Sequence, residues 1–261
     1  MRDARLTHLN FSELLHCDGR QPQVACSGYC VSCDRAKFLD EEDVHLHQMS
    51  HGADTSDFED FYGREISGPY IHQWVVFIFE SPGGQYQNGV DVPYQGFSKR
   101  PPNKTRYWLP DDETVWPATL DDVLSAGNPY GPYLAYLMKQ FALKNAYFTN
   151  AIKCGLTVNG SAPPKFQPYS KVSAPYRKIG DNCVSLFLRE ELRLLDPAVV
   201  FAVGDNAHRL LLRANPAFRS VCLYHPVPRG NRRRALEDND RTIRAALAAA
   251  SLTPVAAPPE V

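Results

Sequence analysis

The chain of 261 residues is 44% hydrophobic and 22% charged, a composition typical of a soluble globular protein with one large domain. Its formal net charge of −1 excludes a general attraction to nucleic acid, so any such surface must come from local clusters of the 28 lysines and arginines. No apolar run approaches the ~20 residues that span a bilayer, and the first residues lack the apolar core of a signal peptide. We therefore expect a cytoplasmic monomer that does not bind membranes.

Residues 1–70 form an irregular segment that is rich in cysteine, histidine and acidic residues. The seven cysteines of the chain favour a metal site over a disulfide framework, because a reducing compartment keeps thiols reduced. The spacing permits a local structural zinc site built from Cys17, Cys26, Cys30 and Cys33, with His45, His47 and His51 following. The segment is predicted to be an extension that a metal fastens to the rest of the chain.

Short apolar runs alternate with helical patterns from residue 71 to residue 251. The runs predict strands at 74–79, 146–149, 198–203 and 220–224. Apolar spacing predicts helices at 130–143, 181–195 and 205–213, and an alanine-rich helix near the end. This alternation predicts an α/β fold, a three-layer α/β/α domain around a central four-stranded parallel sheet. Proline and small residues at 252–261 indicate a flexible tail.

Each predicted strand ends in a polar or glycine-containing loop. The four loops read ESPGG, NAIKCG, GDNA and HPVPRG in chain order. In open α/β sheets the ligand lies beyond the carboxyl ends of the strands. These loops should therefore converge on one site.

In this order, the motifs FESPGG, TNAIKC, FAVGDNAHRLLL and HPVPRG resemble those of the uracil-DNA glycosylase superfamily over about 70–250. In the second motif the asparagine is followed by Lys-Cys, and this resembles the second motif of the iron–sulfur, family 4-like enzymes most closely. The resemblance implies DNA as the partner and a monofunctional glycosylase. Such an enzyme hydrolyses the bond between deoxyribose and a flipped uracil or modified pyrimidine, and leaves an abasic site.

The resemblance also implies a [4Fe–4S] cluster, which requires four thiolates. The matching residues are Cys30, Cys33, Cys154 and Cys183, although Cys17 or Cys26 could replace one of them. A local zinc site is the alternative, and it would leave Cys154 and Cys183 without a role.

The resemblance assigns the chemistry to residues at the strand ends. Glu80 would position or activate the water with Ser81 as an auxiliary, and His225 would donate a hydrogen bond to the departing base. Asn150 would pair with the edge of the flipped pyrimidine, since an amide both donates and accepts. Taken singly, such residues are also common as caps or core groups.

Further matches concern the base and the DNA backbone. Tyr94, or alternatively Phe97, would stack on the flipped base, and Gly83 would leave room at its C5 position. Arg229 occupies the place of the wedge that fills the vacated stack. Phosphate contacts are expected from Arg232, Arg233, Arg234 and Lys165, whereas a solvated basic face is the usual reading of such a charge run.

Two alternatives stay open at this point. FESPGG differs from the GEAPG of the iron–sulfur enzymes, and Gly83 admits a substituted base, so hypermodified cytosine of phage DNA is a possible substrate in antiviral defence. The other alternative is a catalytically silent iron–sulfur protein that binds DNA.

Overall fold

The computed structural model describes residues 44–48, 53–54, 69–80, 84–87, 90–93, 119–125, 130–152, 154–158, 165–166, 181, 184–214, 219–227 and 230–255. The strands in these ranges are β1 (Val44–Gln48), β2 (Ala53–Asp54), β3 (Val75–Phe79), β4 (Gly84–Gln87), β5 (Val90–Pro93), β6 (Ala146–Asn150), β7 (Cys154–Val158), β8 (Lys165–Phe166), β9 (Val199–Val203) and β10 (Val221–Leu223). The helices are α1 (Leu120–Ser125), α2 (Tyr130–Gln140), α3 (Arg189–Leu195), α4 (Asp205–Ala214) and α5 (Arg232–Ala249). A π-helical turn, Val184–Leu188, precedes α3, where an uninterrupted helix was predicted.

The central sheet has the strand order β10-β9-β3-β6-β2. Its first four strands are parallel, which confirms the predicted four-stranded parallel sheet. The short strand β2 adds an antiparallel edge, because Ala53 pairs with Phe148 and Asp54 with Tyr147.

Both faces of this sheet are covered, as expected for strands that are continuous apolar runs. On one face the ring of Phe77 stacks between those of Phe148 and Phe201, at centroid distances of 5.2 and 5.1 Å. Helices α2 and α5 belong to the same core cluster. The alternate β3 residues, Val76 and Ile78, are also fully buried, and buried leucines of α3 and α4 complete the third layer.

The connections place a crevice between β3 and β9. From β3 the chain crosses to β6 on one side, and it later returns to β9 and β10 on the other side. Such a reversal of direction is where open α/β sheets bind their ligands, beyond the carboxyl ends of the strands.

The packed domain extends past the predicted boundaries at both ends. The backbones of Tyr70 and Val255 exchange two hydrogen bonds of 2.7 and 2.8 Å. Leu252, which was assigned to the flexible tail, is only 7% exposed. Residues 252–255 therefore pack against the domain, and residues 256–261 lie outside the described residues.

The described residues also form two smaller sheets. Strand β1 of the cysteine-rich extension pairs antiparallel with β7, so that Gln48 stands opposite Cys154. Strand β8 continues this sheet, and β4 and β5 form a hairpin shortly after β3. Within the described ranges, the helices are too short or too polar to cross a membrane.

Candidate active site

Glu80 and Asn150 stand side by side at the tips of two neighbouring strands. Asn150 ends β6 in register with Phe79, the residue before Glu80. Beyond the strands, the Ala151 N–H donates to the Phe79 carbonyl at 2.8 Å, and the Ile152 N–H donates to the Glu80 carbonyl at 3.0 Å. The two exit loops therefore stay in step. Asn150 is almost fully buried, with 6% of its surface exposed. Removing its amide from water costs free energy.

The carboxylate of Glu80 is held by a residue that the sequence analysis did not single out. Asn206, the second residue of α4, donates from Nδ2 to Glu80 Oε2 at 3.0 Å. An asparagine at the start of a helix usually indicates a cap, which is why this contact was missed. The contact spans the crevice between the tips of β3 and β9.

His225 follows β10, and one nitrogen of its ring is paired with the backbone. Its Nδ1 accepts a hydrogen bond of 3.2 Å from the backbone N–H of Val227, so the neutral ring must hold the proton on the other nitrogen. Burial lowers the pKa of His225 below the ordinary value of 6.5. Near neutral pH this imidazole is therefore a neutral donor through Nε2.

Gly204 brings the tip of β9 close to His225. Its φ of +94° favours glycine, and a Cβ placed there would lie 3.7 Å from both Cβ and Cδ2 of His225. Asn206, which contacts Glu80, is two residues further on, so the loop after β9 is close to both His225 and Glu80. Asn150 and His225 thus lie at the same edge, on strands separated by three inter-strand steps of about 4.8 Å each.

The three arginines at the start of α5 have different surroundings. Arg232 donates to the carbonyls of Pro226 and Val123, at 3.0 and 2.9 Å, and more weakly to that of Leu124 at 3.5 Å. Arg233 forms an exposed ion pair with Asp121. Arg234 is exposed, and its backbone N–H is capped by Asn231. Three of the five N–H groups of Arg232 are thus used within the protein.

Several predicted site residues lie outside the described residues, namely Ser81, Gly83, Tyr94, Phe97, Arg229, Cys30, Cys33 and Cys183. Cys154 opens β7 and Lys165 opens β8, which places only their backbones. Among the side chains that the structure does describe, no three His, Cys, Asp or Glu residues are grouped as a metal site.

Residues 67–250 match the family model of the uracil DNA glycosylase superfamily. The chain belongs to this superfamily. The enzyme is therefore a DNA glycosylase, a hydrolase that acts on DNA. Curated protein sequences show no match to it. It is similar to the crystal structure of wild-type SMUG2 from Pedobacter heparinus, with 15% identity, a TM-score of 0.41, and coverage of 84% of this chain and 97% of that chain.

Proposed function

We propose that the enzyme is a monofunctional glycosylase that hydrolyses the N-glycosidic bond of a flipped pyrimidine, with uracil as the preferred base. The observation that carries this proposal is the row of side chains at the carboxyl edge of the sheet. Glu80 directly follows the central strand β3, with Asn150 at the tip of β6 on one side and His225 after β10 on the other. A flipped base that contacts Asn150 at one edge and His225 at the other would place its sugar next to the carboxylate of Glu80.

Glu80 acts on the water in this proposal, with Ser81 assisting. Asn206 orients the carboxylate, which accepts a proton as the water oxygen forms its bond to C1′ of the sugar. The C1′–N bond breaks at the same time, and its electron pair leaves with the base. The negative carboxylate also stabilises the positive charge that develops on the sugar.

His225 stabilises the departing base. Negative charge grows on the pyrimidine oxygen as the bond breaks, so a donor aimed at this oxygen binds the transition state more strongly than the substrate. The Nδ1–Val227 hydrogen bond directs the proton to Nε2, the atom that donates to this oxygen in the proposal. A Lys-based lyase step has no part in the proposal.

Asn150 recognises the base in this scheme, since its amide complements the hydrogen-bonding edge of uracil. Tyr94, or alternatively Phe97, stacks on the ring. The wedge is Arg229, and Arg233, Arg234 and Lys165 bind phosphates. The ion pair of Arg233 with Asp121 is no obstacle, because exposed pairs contribute little and can be exchanged for a phosphate.

The proposal includes a [4Fe–4S] cluster on Cys30, Cys33, Cys154 and Cys183, which would group the enzyme with the family 4-like members. The pairing of β1 with β7 supports it, because it brings a strand of the extension beside Cys154. When bound, the cluster supplies a structural fastening. Iron and sulfide analysis tests this: four irons per chain, lost in Cys154→Ser, are expected, whereas zinc in a colourless protein would refute it.

A panel of duplexes tests the substrate. Oligonucleotides that contain uracil, hydroxymethylcytosine or glucosylated cytosine are incubated with the enzyme, and abasic sites are detected by alkaline cleavage. Uracil should be excised, and the Glu80→Ala/His225→Ala double variant should excise nothing. A double variant as active as the parent enzyme would contradict the assigned roles.

The second candidate substrate is hypermodified cytosine of phage DNA. It is favoured by Gly83, because the resemblance gives uracil-only enzymes a tyrosine that blocks C5 at this position. Excision of glucosylated cytosine in the same panel, at a rate above that of uracil, would identify this base as the substrate and support a defence function. Excision of uracil alone would exclude it.

A further inference from the structure

His225 lies after the end of β10, and the described residues around it, 224–227, have no regular secondary structure. A donor that must meet a base oxygen at about 3 Å needs a fixed backbone. Two side chains of α5 hold this segment, one on each side of His225. We name Asn239 and Arg232 the α5 clamp.

Asn239 holds the residue before His225. Its Oδ1 accepts from the Tyr224 N–H at 2.7 Å, and its Nδ2 donates to the Tyr224 carbonyl at 2.8 Å. It therefore pairs both backbone groups of Tyr224, as a neighbouring strand would. The remaining N–H donates to the hydroxyl of Tyr133 at 2.8 Å, so the buried amide, 1% exposed, has a partner for each of its groups.

Arg232 holds the residue after His225. Its Nε donates to the Pro226 carbonyl, and its Nη2 donates to the Val123 carbonyl in α1. The guanidinium thus ties the segment to a second helix, and the planar fork of donors suits two carbonyls at once. A general contribution to stability does not explain why both contacts fall on the two neighbours of one histidine.

The pattern of exposure agrees with a role in positioning. The side chain of Tyr224 is 53% exposed and that of Val227 is 51% exposed, so packing of these side chains does little to fix the segment. Pro226 is buried, and the backbone on both sides of His225 is held in addition by polar contacts, which are directional. The imidazole between them is oriented further by the Val227 N–H.

We propose that Asn239 and Arg232 are positioning residues: they hold the backbone on both sides of His225 and so keep its imidazole in place and paired with the Val227 N–H that fixes the tautomer. This assigns Arg232 a role inside the protein in place of the phosphate contact expected from the sequence. The consequence for catalysis rests on the proposed role of His225, whereas the consequence for the imidazole itself does not.

The test combines kinetics with ¹⁵N NMR of histidine-labelled enzyme, in which the His225 signals are assigned by their loss in His225→Gln. Asn239→Asp removes two donors, and Arg232→Met removes the guanidinium. We expect each to lower kcat about 10- to 100-fold, the cost of a small displacement of a catalytic group, with KM within about threefold of the parent. The His225 ¹⁵N shifts should lose the Nε2–H pattern. Arg241→Met, an exposed arginine on the same helix, should change neither.

Folded variants with parental kcat and parental His225 signals would overturn the proposal. A second result would also overturn it for Arg232. If Arg232→Met raises KM and weakens its dependence on salt, and Arg232→Lys restores both, the residue contacts a phosphate. If Asn239→Asp does not fold, Arg232→Met tests the other half of the clamp, and unmoved His225 signals in that variant would again overturn the proposal. If His225→Gln keeps the kcat of the parent enzyme, the proposed function is refuted. The His225 NMR signals of the Asn239 and Arg232 variants would still test the α5 clamp.

Discussion

The amide of Asn206 donates a 3.0 Å hydrogen bond to the Glu80 carboxylate and so joins the two strand tips that border the crevice. Asn206→Ala removes this contact without adding bulk. Because hydrogen bonds to charged groups contribute about 1.5–3 kcal/mol, we expect kcat to fall about 10- to 100-fold with little change in KM. Single-turnover excision measures this. A greater loss is expected for Asn206→Asp, which places a second carboxylate beside Glu80, and equal activity of the two variants would contradict the role.

Glu80→Gln tests the carboxylate directly. The amide keeps the size of the side chain but cannot accept the proton of the attacking water, and it carries no charge to stabilise the sugar. A general base typically contributes about 10²- to 10⁴-fold, so kcat should fall by that factor while duplex binding is retained. Binding is measured by fluorescence anisotropy. A variant that keeps more than a tenth of the parental kcat would remove Glu80 from the chemistry.

The lowered pKa of His225 predicts how stability depends on pH. Because burial holds this pKa below 6.5 in the folded state, the unfolded chain takes up the proton first as the pH falls. The free energy of unfolding should therefore be highest above 6.5 and decrease as the pH falls through the folded pKa. Urea unfolding at about pH 7.5 and about pH 5 measures this. The loss of unfolding free energy between these two pH values should be smaller in His225→Ala. An equal loss in this variant would contradict the lowered pKa of His225 as its cause.

Asn150→Asp should change which base is preferred. A carboxylate only accepts hydrogen bonds, so it repels O4 of uracil but accepts from the amino group of cytosine. We expect excision of uracil to fall more than about 100-fold, since polar sites strongly reject a mismatched edge, and the cytosine-to-uracil ratio to rise. Asn145→Asp is the matched control. Asn145 comes just before the amino end of β6, away from the site, and donates to the His72 carbonyl. The control should leave the ratio unchanged.

Phe77→Ala should destabilise the fold. The ring is fully buried between Phe148 and Phe201, and such truncations cost about 3–5 kcal/mol. The free energy of unfolding from urea titration measures the loss. For comparison, Leu212→Ala removes a side chain that is 41% exposed and should change stability by no more than about 0.5 kcal/mol. Similar effects of both substitutions would contradict the packing described for the sheet.

Local sequence patterns were sufficient for the four parallel strands, because a buried strand is a short apolar run bounded by turn residues. They were not sufficient for β2, since two residues such as Ala53 and Asp54 have no period to recognise. A shift in helical hydrogen bonding, as in the π-turn before α3, likewise leaves no mark in apolar spacing.

The site shows the same division. Motif order was enough to single out Glu80, Asn150 and His225 as candidates, but it did not reveal partners such as Asn206 and Asn239, because these come from distant parts of the chain. An arginine run looks alike whether it faces phosphates or, like Arg232, carbonyls. Asn239 did leave a signal: it interrupts the buried stripe of α5 between Leu236 and Ile243, where a polar residue needs an explanation.

The strand order also has a consequence for biosynthesis. Strand β3 has its neighbour β9 more than a hundred residues later, and the clamp of His225 belongs to α5, near the end of the described chain. A ribosome-bound chain would thus contain Glu80 and Asn150 long before His225 was held in position by α5. With the proposed role of His225, the capacity to cut bases out of DNA would arise only after α5 has been synthesised, so chains that stop before α5 would be inert toward DNA.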